Sequence, residues 1–108
     1  MRNVDKVVRD GKVAVLIAPS FGGGWSTWAG EEVSHQLLFE PEMVAWVEAG
    51  KKGPCPDMKV KYPGAYIPEQ DVDDLIIKWI PVGTLFRVHE YDGSESIVVH
   101  SDEYWITA

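Results

Sequence analysis

The first part of the chain contains two apolar segments that are separated by a turn signal. Residues 3–9 and 12–18 flank Asp10-Gly11, a dipeptide that favours a two-residue hairpin turn between antiparallel strands. The second segment, KVAVLIA, is apolar at nearly every position and ends at Pro19, where a glycine-rich loop begins. A nearly continuous apolar run is typical of a strand that is central in its sheet. We therefore predict an amino-terminal hairpin with a central second strand.

The middle of the chain contains one helical pattern, EPEMVAWVEAGKKG. Pro41 suits the first helical position, the glutamates beside it suit the positive end of the helix, and Gly50 suits the C-terminal cap. Three apolar side chains fall on one stripe at helical spacing: Met43, Trp46 and Val47. Such a stripe favours packing against a core.

The segments on either side of this helix are less regular. Residues 31–39 are ambiguous between helix and other structure. Residues 50–72 contain four prolines and three glycines, so we predict an irregular connection there. Loops of this length in compact domains are commonly functional or mobile.

Three strand patterns, DLIIKWI, LFRVHEY and SIVVH, lie near the end of the chain, separated by PVGT and by Asp92-Gly93. We predict that they form an antiparallel meander. With the amino-terminal hairpin they make an α+β domain, spanning 1–108, in which one antiparallel sheet packs against one or two helices.

Alternation along these strands assigns each residue to one of two faces. The turns predict the following cross-strand pairs: Ile80 with Leu85, Trp79 with Phe86, Lys78 with Arg87, Ile77 with Val88, Val88 with Ile97, Arg87 with Val98 and His89 with Ser96. The core face then carries Leu75, Ile77, Trp79, Phe86, Val88, Ile97 and Val99. The opposite face carries Ile76, Lys78, Ile80, Leu85, Arg87, His89, Tyr91, Ser96, Val98 and His100.

The predicted pairing of Lys78 with Arg87 sets two like charges side by side. Cross-strand pairs of this kind change stability by about 0.2–1 kcal/mol. A nearby carboxylate, solvent screening or a bound anion would each relieve the repulsion, and the sequence leaves all three open. The planar guanidinium of Arg87 suits bidentate phosphate binding, and His89 and Tyr91 follow on the same face.

The loop APSFGGGWSTWAG is the second candidate region. Its three glycines allow positive φ angles, and successive exposed amides can form an anion-binding nest, but this phosphate signal is weak and a purely conformational glycine turn is the favoured interpretation. The spacing matches neither a Walker loop nor a dinucleotide fingerprint. Trp25 and Trp28 either stack on a base or fill the gap between sheet and helix, and Ser26 and Thr27 offer hydroxyls. The candidate ligand-binding residues are Phe21, Gly22, Gly23, Trp25, Ser26, Thr27, Trp28, Lys78, Arg87, His89 and Tyr91.

Composition narrows the class of protein. The chain has 108 residues, five tryptophans and a net charge of −7, which disfavours nonspecific binding to duplex nucleic acid. Acidic residues cluster in 69–74 and 90–103. Cys55 is the only cysteine, no signal-peptide pattern opens the chain, and no apolar stretch approaches the ~20 residues of a membrane span. We expect a cytoplasmic protein that does not bind membranes.

Catalytic signals are weak. His35, His89 and His100 lack the spacing of a zinc enzyme, and a hydrolase that uses His89 and His100 is the less favoured interpretation. Glu90 and Glu95 face each other across the last hairpin, where we expect both carboxylates to be solvated. We predict no catalytic residues, no metal and no cofactor.

Three stretches also carry a resemblance: VAVLIAPSFGGGWSTW, LFEPEMVAWVEAGKKG and LIIKWIPVGTLFRVHEYDGSESI. Together they resemble small proteins of bacteriophages and prophages, and are similar in particular to the Thoeris anti-defence family. The resemblance covers roughly the whole chain except 51–72. It implies an oligomeric viral protein in the host cytoplasm that sequesters a cyclic nucleotide immune signal, such as a cyclic ADP-ribose isomer, without cleaving it. The alternative is an acidic inhibitor whose clusters at 69–74 and 90–103 dock on a basic host protein.

Overall fold

The computed structural model of the chain describes residues 5–19, 25–27, 31–63, 74–91 and 94–99. In chain order the elements are β1 (Val8–Arg9), β2 (Lys12–Ile17), α1 (Glu31–Phe39), α2 (Pro41–Glu48), α3 (Met58–Lys61), β3 (Ile76–Pro81), β4 (Phe86–Tyr91) and β5 (Ser94–Val99). Every strand pairing is antiparallel. The predicted α+β class with antiparallel strands is confirmed.

The amino-terminal hairpin turns as its sequence predicts. Asp10 and Gly11 have φ angles of 53° and 75°, the positive values that a two-residue type I′ turn needs at both central positions. Arg9 is opposite Lys12 as a result, and Val8 is opposite Val13. The hairpin of β1 and β2 is confirmed.

Strand β2 is the central strand of a three-stranded sheet with the order β1-β2-β3. Its side chains alternate between two buried clusters, with Ala14 and Leu16 in the first and Val15 and Ile17 in the second. Both faces of this strand are therefore covered, which explains its nearly continuous apolar run.

Helix α2 covers the first cluster. Met43 is fully buried, and Trp46 and Val47 pack partly buried against the same cluster, so the predicted apolar stripe is confirmed. Gly50 follows the helix with a φ angle of 77° and donates its amide to the carbonyl of Val47, as expected for a glycine that ends a helix. Residues 31–39, which the sequence left ambiguous, form α1.

Strands β4 and β5 form a separate two-stranded sheet. Its inner face packs Phe86, Val88 and Ile97 against the second cluster. The rings of Phe39 on α1 and Phe86 on β4 meet edge to face, with centroids 6.3 Å apart. The predicted register of this hairpin is confirmed, because Val88 is opposite Ile97, Arg87 opposite Val98 and His89 opposite Ser96.

The predicted pairing of β3 with β4 is wrong. Strand β3 pairs along its whole length with β2, so that Ile80 is opposite Val13, Trp79 opposite Ala14 and Lys78 opposite Val15. After Pro81 the chain turns into the second sheet instead. In this turn Gly83 has a φ angle of 87°, and the amide of Thr84 donates to the Pro81 carbonyl. Ile80 is consequently 8% exposed, whereas Leu85, its predicted neighbour, is 70% exposed.

The connection 50–72 is only partly irregular, because it contains the short helix α3. Met58 at the start of α3 is buried in the first cluster, and Tyr62 packs against that cluster just after the helix. The remainder of this connection, from residue 64, lies outside the described residues.

Replacing Ile80 or Leu85 by Ala separates the observed pairing from the predicted meander. Ile80→Ala removes buried atoms from the second cluster and should lower the free energy of unfolding by about 2–5 kcal/mol. Leu85→Ala, at an exposed position, should change it by no more than about 0.5 kcal/mol. Denaturant unfolding of both variants measures the difference. Equal losses would contradict the two-sheet arrangement.

Candidate functional site

The outer face of β4 and β5 carries three of the predicted ligand-binding residues. Arg87, His89 and Tyr91 occupy alternate positions of β4, and all three side chains are exposed, Tyr91 to 70%. Alternate residues of a strand point to the same side. Four residues of strand extend about 14 Å, so these side chains form a row of that length, which we call the outer face.

The two arginines in the described part of the chain differ in their surroundings. Arg9 forms a two-bond salt bridge with Glu48, and its guanidinium also lies over the ring of Trp79. Arg87 makes no ion pair or hydrogen bond with any described residue. Its guanidinium is therefore the one of the two that is available to an anion.

Lys78 does not join Arg87. It lies in the three-stranded sheet, opposite Val15, and its side chain is exposed. The like-charge pair on which the sequence argument relied is absent from the described strands, because β3 and β4 are not neighbours. Lys78 therefore does not occupy the cross-strand position from which we predicted that it would bind an anion beside Arg87.

Trp25 belongs to the core. The side chain is fully buried in the first cluster, and its indole N–H donates to the carbonyl of Leu37 at 2.9 Å. Of the two alternatives for this tryptophan, packing between sheet and helix is the one observed. Ser26 is also buried, at 3% exposure, so neither side chain presents a surface to a ligand.

The loop is organised around a carboxylate that belongs to the chain itself. Glu95 on β5 is 1% exposed. Its Oε1 accepts the amide of Ala18 at 2.9 Å. Its Oε2 accepts the amide of Trp25 at 2.9 Å, the amide of Thr27 at 3.1 Å and the Thr27 hydroxyl at 2.6 Å. We call these four donors the Glu95 cradle.

The Glu95 cradle changes the interpretation of the glycine-rich loop. The sequence suggested that loop amides bind the phosphate of a ligand, and three described amides around the loop do bind an anion, which is a side chain of β5. The expectation that Glu95 is solvated beside Glu90 is wrong. The register does place these two residues opposite each other, but position 95 points inward with Ile97, and this alternation was the available signal.

Four of the loop candidates, Phe21, Gly22, Gly23 and Trp28, lie outside the described residues. The site that the described residues support is therefore the outer face, with Arg87, His89 and Tyr91.

A second buried carboxylate fixes the junction of the helices. Glu40 lies between α1 and α2 and is 1% exposed. It accepts hydrogen bonds from the ammonium of Lys61, at 2.5 Å, and from the hydroxyl of Tyr62. Burial and the hydrogen bond to Glu40 raise the pKa of the Tyr62 phenol above its ordinary value, and the bond to Glu40 raises the pKa of Lys61. This cluster holds the end of α3 against the helix junction.

Metal and membrane signals are absent from the described part of the chain. No group of three or more His, Cys, Asp or Glu residues there is placed to hold a metal ion. No helix among those described is long and apolar enough to span a membrane. Comparison with protein-family models, with curated proteins and with solved structures gave no match.

The raised pKa of Tyr62 predicts a loss of stability in alkali. Below the ordinary phenol pKa of 10.0, Tyr62 is protonated in both states, and above it the unfolded chain ionises first. Stability should therefore fall as the pH rises above about 10. Tyr62→Phe should show a shallower fall between about pH 10 and 12, measured as the free energy of unfolding at each pH.

The slope, not the absolute stability, is the readout, because Tyr62→Phe also removes a hydrogen bond. The matched control is Tyr91→Phe, which removes a phenol that is 70% exposed and lies outside the Glu40 cluster, so that an effect common to any Tyr→Phe replacement appears in both variants. A Tyr62→Phe slope equal to that of wild type would contradict the contribution of the Glu40 cluster.

Proposed function

We propose that this protein binds an anionic, nucleotide-like ligand without cleaving it, and that the ligand is a cyclic nucleotide immune signal such as a cyclic ADP-ribose isomer. The resemblance to the phage Thoeris anti-defence proteins suggests this class of ligand. The single observation that carries the proposal is the exposed Arg87, which has no described partner and shares a strand face with His89 and Tyr91.

The chemistry of the outer face suits such a ligand. An arginine fork binds two phosphate oxygens at once, and charge-assisted hydrogen bonds of this kind are the strong ones. An exposed tyrosine ring accepts a base by stacking, which is worth about 1–3 kcal/mol per base. His89 lies between them and can donate to a phosphate or a ribose oxygen. A row about 14 Å long contacts both the phosphate and the base of one nucleotide.

A sequestering protein also needs slow release, and an open strand face leaves its ligand solvated on one side. We infer that a second copy of the chain covers the bound ligand, so that the active form is a homo-oligomer. Leu85 and Val98, which are 70% and 40% exposed, add apolar area at the same sheet. Burying such area on association is favourable.

The alternative, an acidic inhibitor of a basic host protein, is weakened by the described residues. Glu95, one of the carboxylates in 90–103, is buried and committed to the Glu95 cradle. It is unavailable to a partner. The other acidic residues of that proposal lie mostly outside the described part of the chain, so nothing described favours it over ligand binding.

Calorimetry with cyclic ADP-ribose isomers and cyclic dinucleotides tests the proposal. We expect submicromolar binding to the wild-type chain and release of intact ligand when the complex is heated. Arg87→Ala should weaken binding by about 1.5–3 kcal/mol, the value of a hydrogen bond to a charged group. The free ligand and the released ligand are compared by chromatography.

The matched control is Lys12→Ala, which removes one exposed cation of the amino-terminal hairpin and should leave the affinity unchanged. Equal loss in both variants would indicate a general charge effect instead of contact with Arg87. Release of altered ligand would indicate an enzyme. No binding across the panel would reject the proposal and direct attention to a protein partner.

A further inference from the structure

The described residues place four hydrogen-bond donors around the carboxylate of Glu95. They are the amides of Ala18, Trp25 and Thr27, and the hydroxyl of Thr27. No cation is among these four described donors. Both carboxylate oxygens are occupied, one by a single donor and the other by three, at 2.6–3.1 Å.

This arrangement is the one by which proteins bind external oxyanions. Convergent main-chain amides and a hydroxyl bind phosphates and carboxylates in many loops, and here the anion is supplied by β5. We propose that the Glu95 cradle is a carboxylate-binding site with a built-in ligand, and that a free small carboxylate occupies it when the Glu95 side chain is shortened.

The main chain supports the persistence of the site without that side chain. The amide of Glu95 donates to the carbonyl of Ala18 at 2.9 Å, and the hydroxyl of Ser94 donates to the carbonyl of Pro19. These bonds hold β5 beside the exit of β2 independently of the carboxylate. The Trp25 indole likewise remains anchored to Leu37. The donors at Ala18 and Trp25 should therefore stay near their positions when residue 95 is altered.

A consequence follows for ligand recognition. While Glu95 occupies the cradle, these three amides are closed to the phosphate of any external ligand. Phosphate recognition then falls to Arg87 if the proposed function holds. The cradle itself does not depend on that function.

Acetate rescue of Glu95→Ala is the direct test. Acetate has the atoms that Ala lacks relative to Glu, namely one carbon and the carboxylate. We expect acetate to raise the thermal unfolding midpoint of Glu95→Ala in a saturable way, relative to chloride at equal ionic strength. At an acetate concentration of about ten times its Kd, the folding equilibrium constant should rise about elevenfold.

Two controls isolate the carboxylate. Acetamide has the shape of acetate but no charge, and it should give no rescue. The wild-type chain should not respond to acetate beyond the effect of chloride. Adding Thr27→Val to Glu95→Ala removes the hydroxyl donor and should raise the Kd of acetate several-fold. Rescue by acetamide equal to that by acetate would overturn the proposal, and so would a folded Glu95→Ala whose unfolding midpoint neither compound raises.

A second variant decides the case if Glu95→Ala does not fold even in acetate. Glu95→Gln keeps the size of the side chain, but in either orientation its NH₂ group faces at least one of the main-chain amides of the cradle, which cannot accept a hydrogen bond. Its unfolding midpoint should fall below that of wild type, and a midpoint equal to that of wild type would overturn the proposal. Since no nucleotide enters these measurements, their failure is distinct from the failure of ligand binding.

Discussion

The buried carboxylate of Glu95 is the constraint on which the rest of the structure depends. The two sheets share no strand ladder in the described part of the chain. Their relative position relies on apolar packing, on the bonds of the Glu95 amide and the Ser94 hydroxyl to the main chain after β2, and on the Glu95 side chain, which makes the largest described set of these bonds. Packing of the second cluster is not directional, whereas the hydrogen bonds from Ala18, Trp25 and Thr27 are. A buried amide left without an acceptor costs about 1–3 kcal/mol. The loop after β2 and the start of β5 therefore have to stay together.

The buried carboxylate of Glu40 also connects separate segments of the chain, but its partners are of a different kind. It lies where α1 gives way to α2, and its oxygens are satisfied by Lys61 and Tyr62 from the end of α3. The donors at Glu95 are mostly main-chain groups, which fix the path of the backbone. Those at Glu40 are mainly side chains, which attach one segment to another. An acidic protein thus uses two of its carboxylates as internal ligands at points where the chain changes direction.

The sequence predicted what local chemistry determines. The Asp10-Gly11 turn, the central position of β2, the helix that begins at Pro41 and the register of β4 with β5 all follow from short-range signals. The partner of β3 did not follow, because alternation along a strand is the same whichever neighbour it has. The burial of the Glu95 carboxylate did not follow from the sequence for a related reason. Alternation along β5 indicates that residue 95 faces inward, but the groups that donate to its carboxylate lie 68 to 77 residues away in sequence, and no local pattern reveals them.

The charge of the chain limits what the outer face can bind. With a net charge of −7, the long-range field opposes the approach of a polyanion. Arg87 is the one arginine or lysine among the described residues of that face, and the amides of the Glu95 cradle are already occupied. Under the proposed function, affinity must come from contacts that act at short range, namely a bidentate phosphate bond and stacking on Tyr91. Such contacts favour a compact ligand with few phosphates and an accessible base over a long polyphosphate or a nucleic acid strand. A cyclic nucleotide meets that requirement.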